Sequence, residues 1–373
     1  MSLLFSPTAL GPVALKNRIV IAPMCQYSAD NGNASDWHLM QFGQMAMSSA
    51  GLFIIEATAV NPEGRITPHD LGLWSDENEA ALSKVIASVQ RWANASKMPL
   101  AIQLAHAGRK ASSEVPWRGG QLMLPSEGGW ATMAPSALPQ LPNEAPPKAM
   151  TLADIQRVKN DFVQAALRAQ RIGFDVIELH AAHGYLMHQF LSPLANQRTD
   201  EYGGSLQNRM RFPLEVFDAV RAALPESTPV GVRLSATDWV EGGLDLAQTT
   251  EFGLALKTRG ASFLHVSSAG VSPLQKIPLG PGYQVDLAAH LKREVGLPTM
   301  AVGLLTEPQQ AEDVLAKGEA DMVALARGML YDPRWPWHAA AELGAQVEVP
   351  PQYWRSQPRH LKDLFAGAVM GQR

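Results

Sequence analysis

The sequence predicts an α/β protein folded as a single (β/α)8 TIM barrel, and three observations predict it. Eight short apolar runs bounded by turn residues recur along the chain, helical patterns separate most of them, and no G-x-G-x-x-G follows any of them. Strands of a parallel sheet have helices on their outer face and packed side chains on their inner face, so they read as near-continuous apolar runs. The runs are 18–24 (RIVIAPM), 51–58 (GLFIIEAT), 99–105 (PLAIQLA), 174–180 (FDVIELH), 229–235 (PVGVRLS), 262–268 (SFLHVSS), 298–303 (PTMAVG) and 321–326 (DMVALA). Apolar residues repeat at helical spacing over 76–93, 152–171, 206–224, 247–258 and 307–317. Thr306 followed by Gln309 fits a capping box, and Gly318 is placed to end that helix. Such alternation suits a closed parallel barrel better than an open doubly wound sheet. The missing glycine fingerprint argues further against a dinucleotide-binding sheet.

The 373 residues are expected to form one domain, since barrels of this kind run as single units of ~250 residues or more. Residues 107–150 interrupt the alternation with Pro116, Pro125, Pro135, Pro139, Pro142, Pro146 and Pro147, and with Trp117 and Trp130. Proline at that density forbids a long helix. The segment reads as an ordered excursion after the third strand, a lid or a hairpin over the barrel mouth. Residues 345–373 form a C-terminal tail.

Composition narrows the function classes. Net charge is −4 with Lys and Arg scattered, so there is no basic stripe for nucleic acid. No apolar run approaches the ~20 residues that span a bilayer. The N-terminus lacks a basic segment followed by a long apolar one, and a cytoplasmic location is the expectation. Cys25 is the one cysteine, which excludes an intrachain disulfide and a Cys-rich zinc site.

In a barrel, chemistry sits where strands end and the following loops begin. Those positions hold Met24, Cys25, Gln26 and Tyr27 after the first strand, Thr58 and Ala59 after the second, and Gln103 and His106 on the third. The fourth ends in His180, His183 and Tyr185, the fifth carries Arg233, and the sixth ends in Ser267 and Ser268. Gly303 follows the seventh, and Ala326 and Arg327 follow the eighth. A lone strand-end histidine is often a hydrogen-bonded structural residue; a close pair beside a tyrosine points to function. His-x-x-His also suits metal, yet neighbouring strand ends offer a cation, Arg233, in place of further ligands, so no metal is expected. Arg233 is either half of an internal ion pair or the partner of an anionic ligand. Gly303 and Arg327 stand in the loops where barrels bind phosphate: glycine lets backbone N–H groups approach, and arginine grips the oxygens. A phosphorylated ligand is therefore expected, with Arg233 and Gln103 farther along it. A lysine ending the sixth strand would have indicated Schiff-base chemistry; serines stand there.

Five segments carry a resemblance: N17-R-I-V-I-A-P-M-C-Q-Y27, E56-A-T-A-V-N-P-E-G-R65, Q103-L-A-H-A-G-R-K110, E178-L-H-A-A-H-G-Y-L186 and R198-T-D-E-Y-G-G-S205. Together they resemble the Old Yellow Enzyme family of FMN ene-reductases, in particular its thermophilic-like branch with the xenobiotic reductases, over nearly the whole chain. The resemblance implies non-covalent FMN, NADPH as hydride donor, and ping-pong reduction of the C=C bond of enones and enals. It extends to nitro compounds and nitrate esters as further substrates. By position it assigns Pro23, Met24, Cys25 and Ala59 to the flavin edge, Gln103 to the pyrimidine side, and Arg233 to N1 and O2. Gly303, Ala326 and Arg327 would cradle the phosphate, although many relatives have glycine where Ala326 stands. His180 and His183 would bind the substrate oxygen, Tyr185 would supply the proton, and Tyr27 would face the substrate. The segment Tyr353-Trp354-Arg355 is similar to one that relatives insert into a neighbouring subunit, with Arg355 as the aligned finger and Trp354 as its rival; a homodimer or homotetramer follows. Three other readings stand: a flavin barrel specialised for another reduction, a flavin-binding module without turnover, and a metal-dependent barrel hydrolase.

Overall fold

The computed structural model describes residues 2–95 and 98–369. Eight parallel strands close into a barrel: β1 (Ile19–Ile21), β2 (Leu52–Ala59), β3 (Leu100–Ala105), β4 (Val176–Ala181), β5 (Val230–Ser235), β6 (Leu264–Ser267), β7 (Thr299–Ala301) and β8 (Met322–Leu325). Every residue of these strands is buried. β8 closes on β1 through Val323 opposite Ile19 and Leu325 opposite Ile21. The helices are α1 (Asp36–Ala46), α2 (Asp76–Ala95), α3 (Leu152–Ile172), α4 (Leu186–Leu191), α5 (Leu206–Ala223), α6 (Leu246–Thr258), α7 (Val285–Val295), α8 (Pro308–Ala316), α9 (Arg327–Tyr331) and α10 (Trp335–Glu342).

Local chemistry explains several boundaries. Thr151 caps α3 by accepting from Asp154 N–H, Asp154 answers by accepting from Thr151 N–H, and Gly173 ends the helix at φ +98°. The capping box expected from Thr306 and Gln309 does not form. Pro308 takes the first helical position, where its missing N–H leaves nothing unpaired, and this shifts the frame by one residue. Gln310 Oε1 accepts from Thr306 N–H at 3.2 Å, while Gln309 bonds Asp313 a turn later. Gly318 does follow the helix at φ +73°. The helical stretches expected above leave out α1 and α7, although α7 buries a stripe of Val285, Ala288, Leu291 and Val295. In α1, Trp37, Leu39 and Met40 lie on the exposed face, Met40 at 56% exposure, so apolar residues surround the helix and no stripe stands out.

The barrel interior is layered. A hairpin of Thr8–Leu10 with Val13–Leu15 closes the N-terminal end. Its buried Leu10 and Leu15 belong to one cluster with Val20, Ile54, Phe263, Met300 and Met322. Gly231 is small because Phe263 is large: a Cβ there would stand 2.3 Å from the Phe263 ring. Burying such a ring is worth roughly 1.5–3 kcal/mol. Farther toward the C-terminal ends the inward residues turn polar, with Gln103, Glu178, Arg233 and His265 all buried.

Residues 107–150 hold three single 3-10 turns, Gly108–Lys110, Pro116–Arg118 and Pro125–Glu127. Met133–Ala134 pairs with Lys148–Ala149 in parallel, so these strands are not the arms of a hairpin. Arg109 ties the segment to the barrel, bonding Leu138 O, Pro139 O and Gln140 on one side and Val271 O, after β6, on the other. Among the described residues no helix is long and apolar enough to cross a membrane.

Candidate active site

The turn after β4 is shaped by backbone contacts that admit few residues. His183 adopts φ +58° and Gly184 φ +74°; a Cβ on Gly184 would stand 2.1 Å from Gly270 O, in the loop after β6. Lys110 Nζ bridges the same two loops, donating to His183 O at 2.8 Å and to Gly270 O at 3.2 Å. His188 on α4 accepts from Gly184 N–H at 2.8 Å and is itself held by Asp238 at 2.8 Å. Tyr185 therefore leaves the turn in a fixed direction.

His180, His183 and Tyr185 converge. His180 Nε2 and His183 Nδ1 are 3.3 Å apart, and the His180 and Tyr185 rings meet edge to face at 4.9 Å. The His180 Nδ1 accepts from Ala182 N–H at 3.2 Å, which puts its ring proton on Nε2. His183 Nε2 lies 2.7 Å from Ser267 Oγ. Burial, reinforced by the Arg233 charge, pushes both imidazoles well below their ordinary value, so both are neutral at pH 7. Burial pushes the Tyr185 phenol well up, and its hydroxyl has no hydrogen-bond partner among the described residues. Lys110 Nζ stands 5.0 Å from the Tyr185 ring centroid.

Beside this group a cleft of about 190 Å³ opens between the ends of β6, β7 and β8, lined by Arg233, Tyr283, Gln284, Gly303, Ala326 and Arg327 among others. It joins the buried Arg233 to the exposed Arg327. The Arg233 guanidinium forms no hydrogen bond among the described residues, and its Nε is buried. Leaving a cation stranded in this way is costly, so the position calls for an anionic or strongly accepting ligand. Gly303 sits at φ +118°, where a Cβ would stand 2.7 Å from Gln284 Nε2. Gln284 in turn accepts from Ser268 Oγ at 2.7 Å and donates to Val302 O at 3.3 Å. Gln103 donates to Glu178 at 2.7 Å.

The remaining candidates form the rim. Pro23, Met24, Cys25 and Tyr27 are half-buried after β1, and Ala59 is buried at the end of β2. Gln26 N–H donates to Glu56 at 2.9 Å, anchoring this stretch. Burial, with Asp70 and Glu56 adding to it, pushes the Cys25 thiol up. Tyr27 meets Trp117 of the 107–150 segment edge-on at 5.8 Å. Arg355 is exposed in the turn Pro351–Ser356, whereas Trp354 donates to Val349 O at 3.2 Å. Among the described residues no three His, Cys, Asp or Glu side chains are grouped to hold a metal ion. Four residues of the site, Lys110, Tyr283, Gln284 and Glu178, carry no role that the sequence discloses. Lys110 and Glu178 lie within the segments of resemblance, while Tyr283 and Gln284 follow a Gly-Pro-Gly turn that has no chemical signature.

A sequence model of the NADH:flavin oxidoreductase / NADH oxidase family matches residues 3–346. The chain belongs to the Old Yellow Enzyme family. An NADPH dehydrogenase of Geobacillus thermodenitrificans is 46% identical over 356 residues, 95% of this chain and 98% of that protein. An NADH:flavin oxidoreductase of Gibberella zeae is 44% identical, covering 92% of this chain and 87% of its own. Among solved structures, morphinone reductase in complex with tetrahydroNAD superposes with a TM-score of 0.74 at 29% identity, covering 98% of this chain and 94% of its own. As an Old Yellow Enzyme family member the protein is an FMN-dependent oxidoreductase. The residues present suit that cofactor: a stranded buried guanidinium for the electron-rich side of the ring, and a cleft leading from it to Gly303 and Arg327 for the phosphate.

Proposed function

We propose that the protein is an NADPH-dependent ene-reductase acting on the C=C bond of α,β-unsaturated carbonyl compounds. The observation that carries this reading is the pair of neutral imidazoles, His180 and His183, set beside a phenol with a free hydroxyl and linked through Ser267 to the Arg233 cleft. Bound FMN supplies the hydride acceptor for NADPH and the hydride donor for the second substrate. Arg233, Gln103, Gly303, Ala326 and Arg327 hold it, with Pro23, Met24, Cys25 and Ala59 along its edge.

The protein's own part is to receive negative charge and deliver a proton. As hydride reaches the β-carbon, charge gathers on the carbonyl oxygen. His180 presents Nε2–H to that oxygen. His183 stands beside it, with Nδ1 3.3 Å from His180 Nε2 and Nε2 2.7 Å from the Ser267 hydroxyl, whose own proton goes to Gln284 Oε1 at 3.3 Å. One donor aimed at a developing oxyanion is worth ~3 kcal/mol. Neutral rings serve as hydrogen-bond donors without fixing a full charge in a buried site. Tyr185 then protonates the α-carbon, a step that contributes ~10²–10⁴-fold when the donor is positioned. Nitro compounds and nitrate esters present oxygens of the same kind to the two histidines and belong to the same substrate range.

Oligomerisation belongs to this reading. Trp354 is tied to its own chain, and Arg355 is the residue offered to the site of a second copy, in a homodimer or homotetramer. The test is the visible spectrum of the purified protein through anaerobic addition of NADPH and then 2-cyclohexenone. Bleaching followed by recovery supports the proposal. Bleaching without recovery removes enones, and a colourless protein that takes up no FMN overturns it.

A further inference from the structure

Inside the barrel, directly below the catalytic group, three polar side chains are joined, two of which, Glu178 and His265, the reaction described above does not use. Glu178 is fully buried on β4, two residues before His180 and so on the same inward face. Its two carboxylate oxygens are engaged separately: Gln103 Nε2 donates to one at 2.7 Å, and His265 Nδ1 lies 2.8 Å from the other. The bond to His265 crosses β5, which carries the side-chain-free Gly231 opposite Glu178. His265 is paired in register with Arg233, as is His180 on the other side. A carboxylate thus sits one inward position below the level of the stranded guanidinium. Burial and the Arg233 charge push His265 below its ordinary value, so its ring is neutral and Nδ1 carries the proton given to Glu178. The geometry has a second consequence. An ionised carboxylate only accepts, so Gln103 must turn its NH2 end toward Glu178. Its carbonyl oxygen is then the end without a protein partner among the described residues.

We propose that Glu178 sets the electrostatic balance of the cofactor site: its carboxylate, clamped by Gln103 and His265, opposes the Arg233 charge and holds Gln103 with its carbonyl oxygen free for the cofactor. The inference rests on the reading of Arg233 and Gln103 as FMN contacts. Arg233 favours the electron-rich form of the flavin, and Glu178 restrains that preference. The protein thereby keeps its cofactor ready to give hydride away as well as to take it. Glu178 is a positioning residue, since it acts through its neighbours.

The test is the midpoint potential of the FMN-loaded protein, read by equilibration with a redox dye, together with the Kd of FMN from fluorescence quenching. Glu178→Gln keeps the shape and removes the charge. At an effective dielectric constant of about 20, one charge about 10 Å away is worth roughly a tenfold change in the ratio of reduced to oxidised flavin. That is a rise of about 30 mV for a two-electron couple. Glu178→Asp keeps the charge and is expected to stay within threefold of the wild-type ratio, with FMN still bound. A merely structural glutamate predicts loosened FMN with the potential unchanged or lower in the loaded Gln variant, and that result overturns the proposal. If the Gln variant fails to fold or load, the Asp variant decides: FMN affinity and potential both near the wild-type values support the charge role, and loosened FMN or a tenfold shift despite the retained charge overturns it. The potential is measured without an enone, so failure of ene-reduction and failure of this inference are read separately.

Discussion

Replacing Tyr185 by phenylalanine removes one oxygen and tests the proton-transfer step with little else disturbed. The hydroxyl has no hydrogen-bond partner among the described residues, so its loss strands no buried group. The ring keeps its edge contact with His180 at 4.9 Å and its place 5.0 Å from Lys110 Nζ. The expected stability change is therefore within about 0.5 kcal/mol. The expected kinetic change is far larger. Loss of a positioned acid at ~10²–10⁴-fold corresponds to roughly 2.7–5.4 kcal/mol of barrier. Stopped-flow absorbance separates the two halves of the cycle, and only the half that consumes enone needs the proton. The variant should bleach with NADPH at nearly the wild-type rate and recover colour with 2-cyclohexenone at least a hundredfold more slowly than wild type. Equal slowing of both halves, or of neither, refutes the assignment of Tyr185 as the acid.

Three other perturbations probe the site and its supports. Arg233→Met should weaken FMN binding at least tenfold in a fluorescence titration, roughly 1.4 kcal/mol by the usual conversion; unchanged affinity and potential would make Arg233 the structural partner of Glu178 and nothing more. Gly184→Ala forces a side chain into φ +74° and against Gly270 O at 2.1 Å. The backbone term alone is about 1–2 kcal/mol, and the variant should lose thermal stability and enone turnover together, an outcome that full retention of both would contradict. Asp70 is buried, which pushes its carboxyl up to about 7, against the pull of hydrogen bonds from Thr67 and Ile66. Its folded value lies above the unfolded value of about 3.9, so the folded state holds the extra proton and stability falls as pH rises between the two. Asp70→Asn mimics the protonated form and lacks that slope. Urea unfolding from about pH 4 to about pH 7 should shift the stability difference in favour of the variant, and parallel profiles would refute the buried-proton account.

The chain order of the strands is legible in the amino-acid sequence because parallel barrel strands are buried on both faces, and burial writes itself as uninterrupted apolar runs. Five helices show in the same way, through one-sided stripes. α1 does not, because its exposed Trp37, Leu39 and Met40 erase the contrast between faces. The frame of α8 differs by one residue from the expected one, since Pro308 selects the start of a helix more strongly than a Thr–Gln spacing does. The grouping of His180, His183 and Tyr185 is legible because three nearby residues at one strand end must be neighbours. What links them to the rest is not. Ser267 reaches His183 over 84 positions, His265 reaches Glu178 over 87, and Arg109 reaches Val271 over 162. Local sequence therefore determined which residue types stand at the strand ends. Only closure of the barrel decided which of them touch, because pairings so distant in the chain are set by strand register and packing, and neither leaves a trace in composition or spacing.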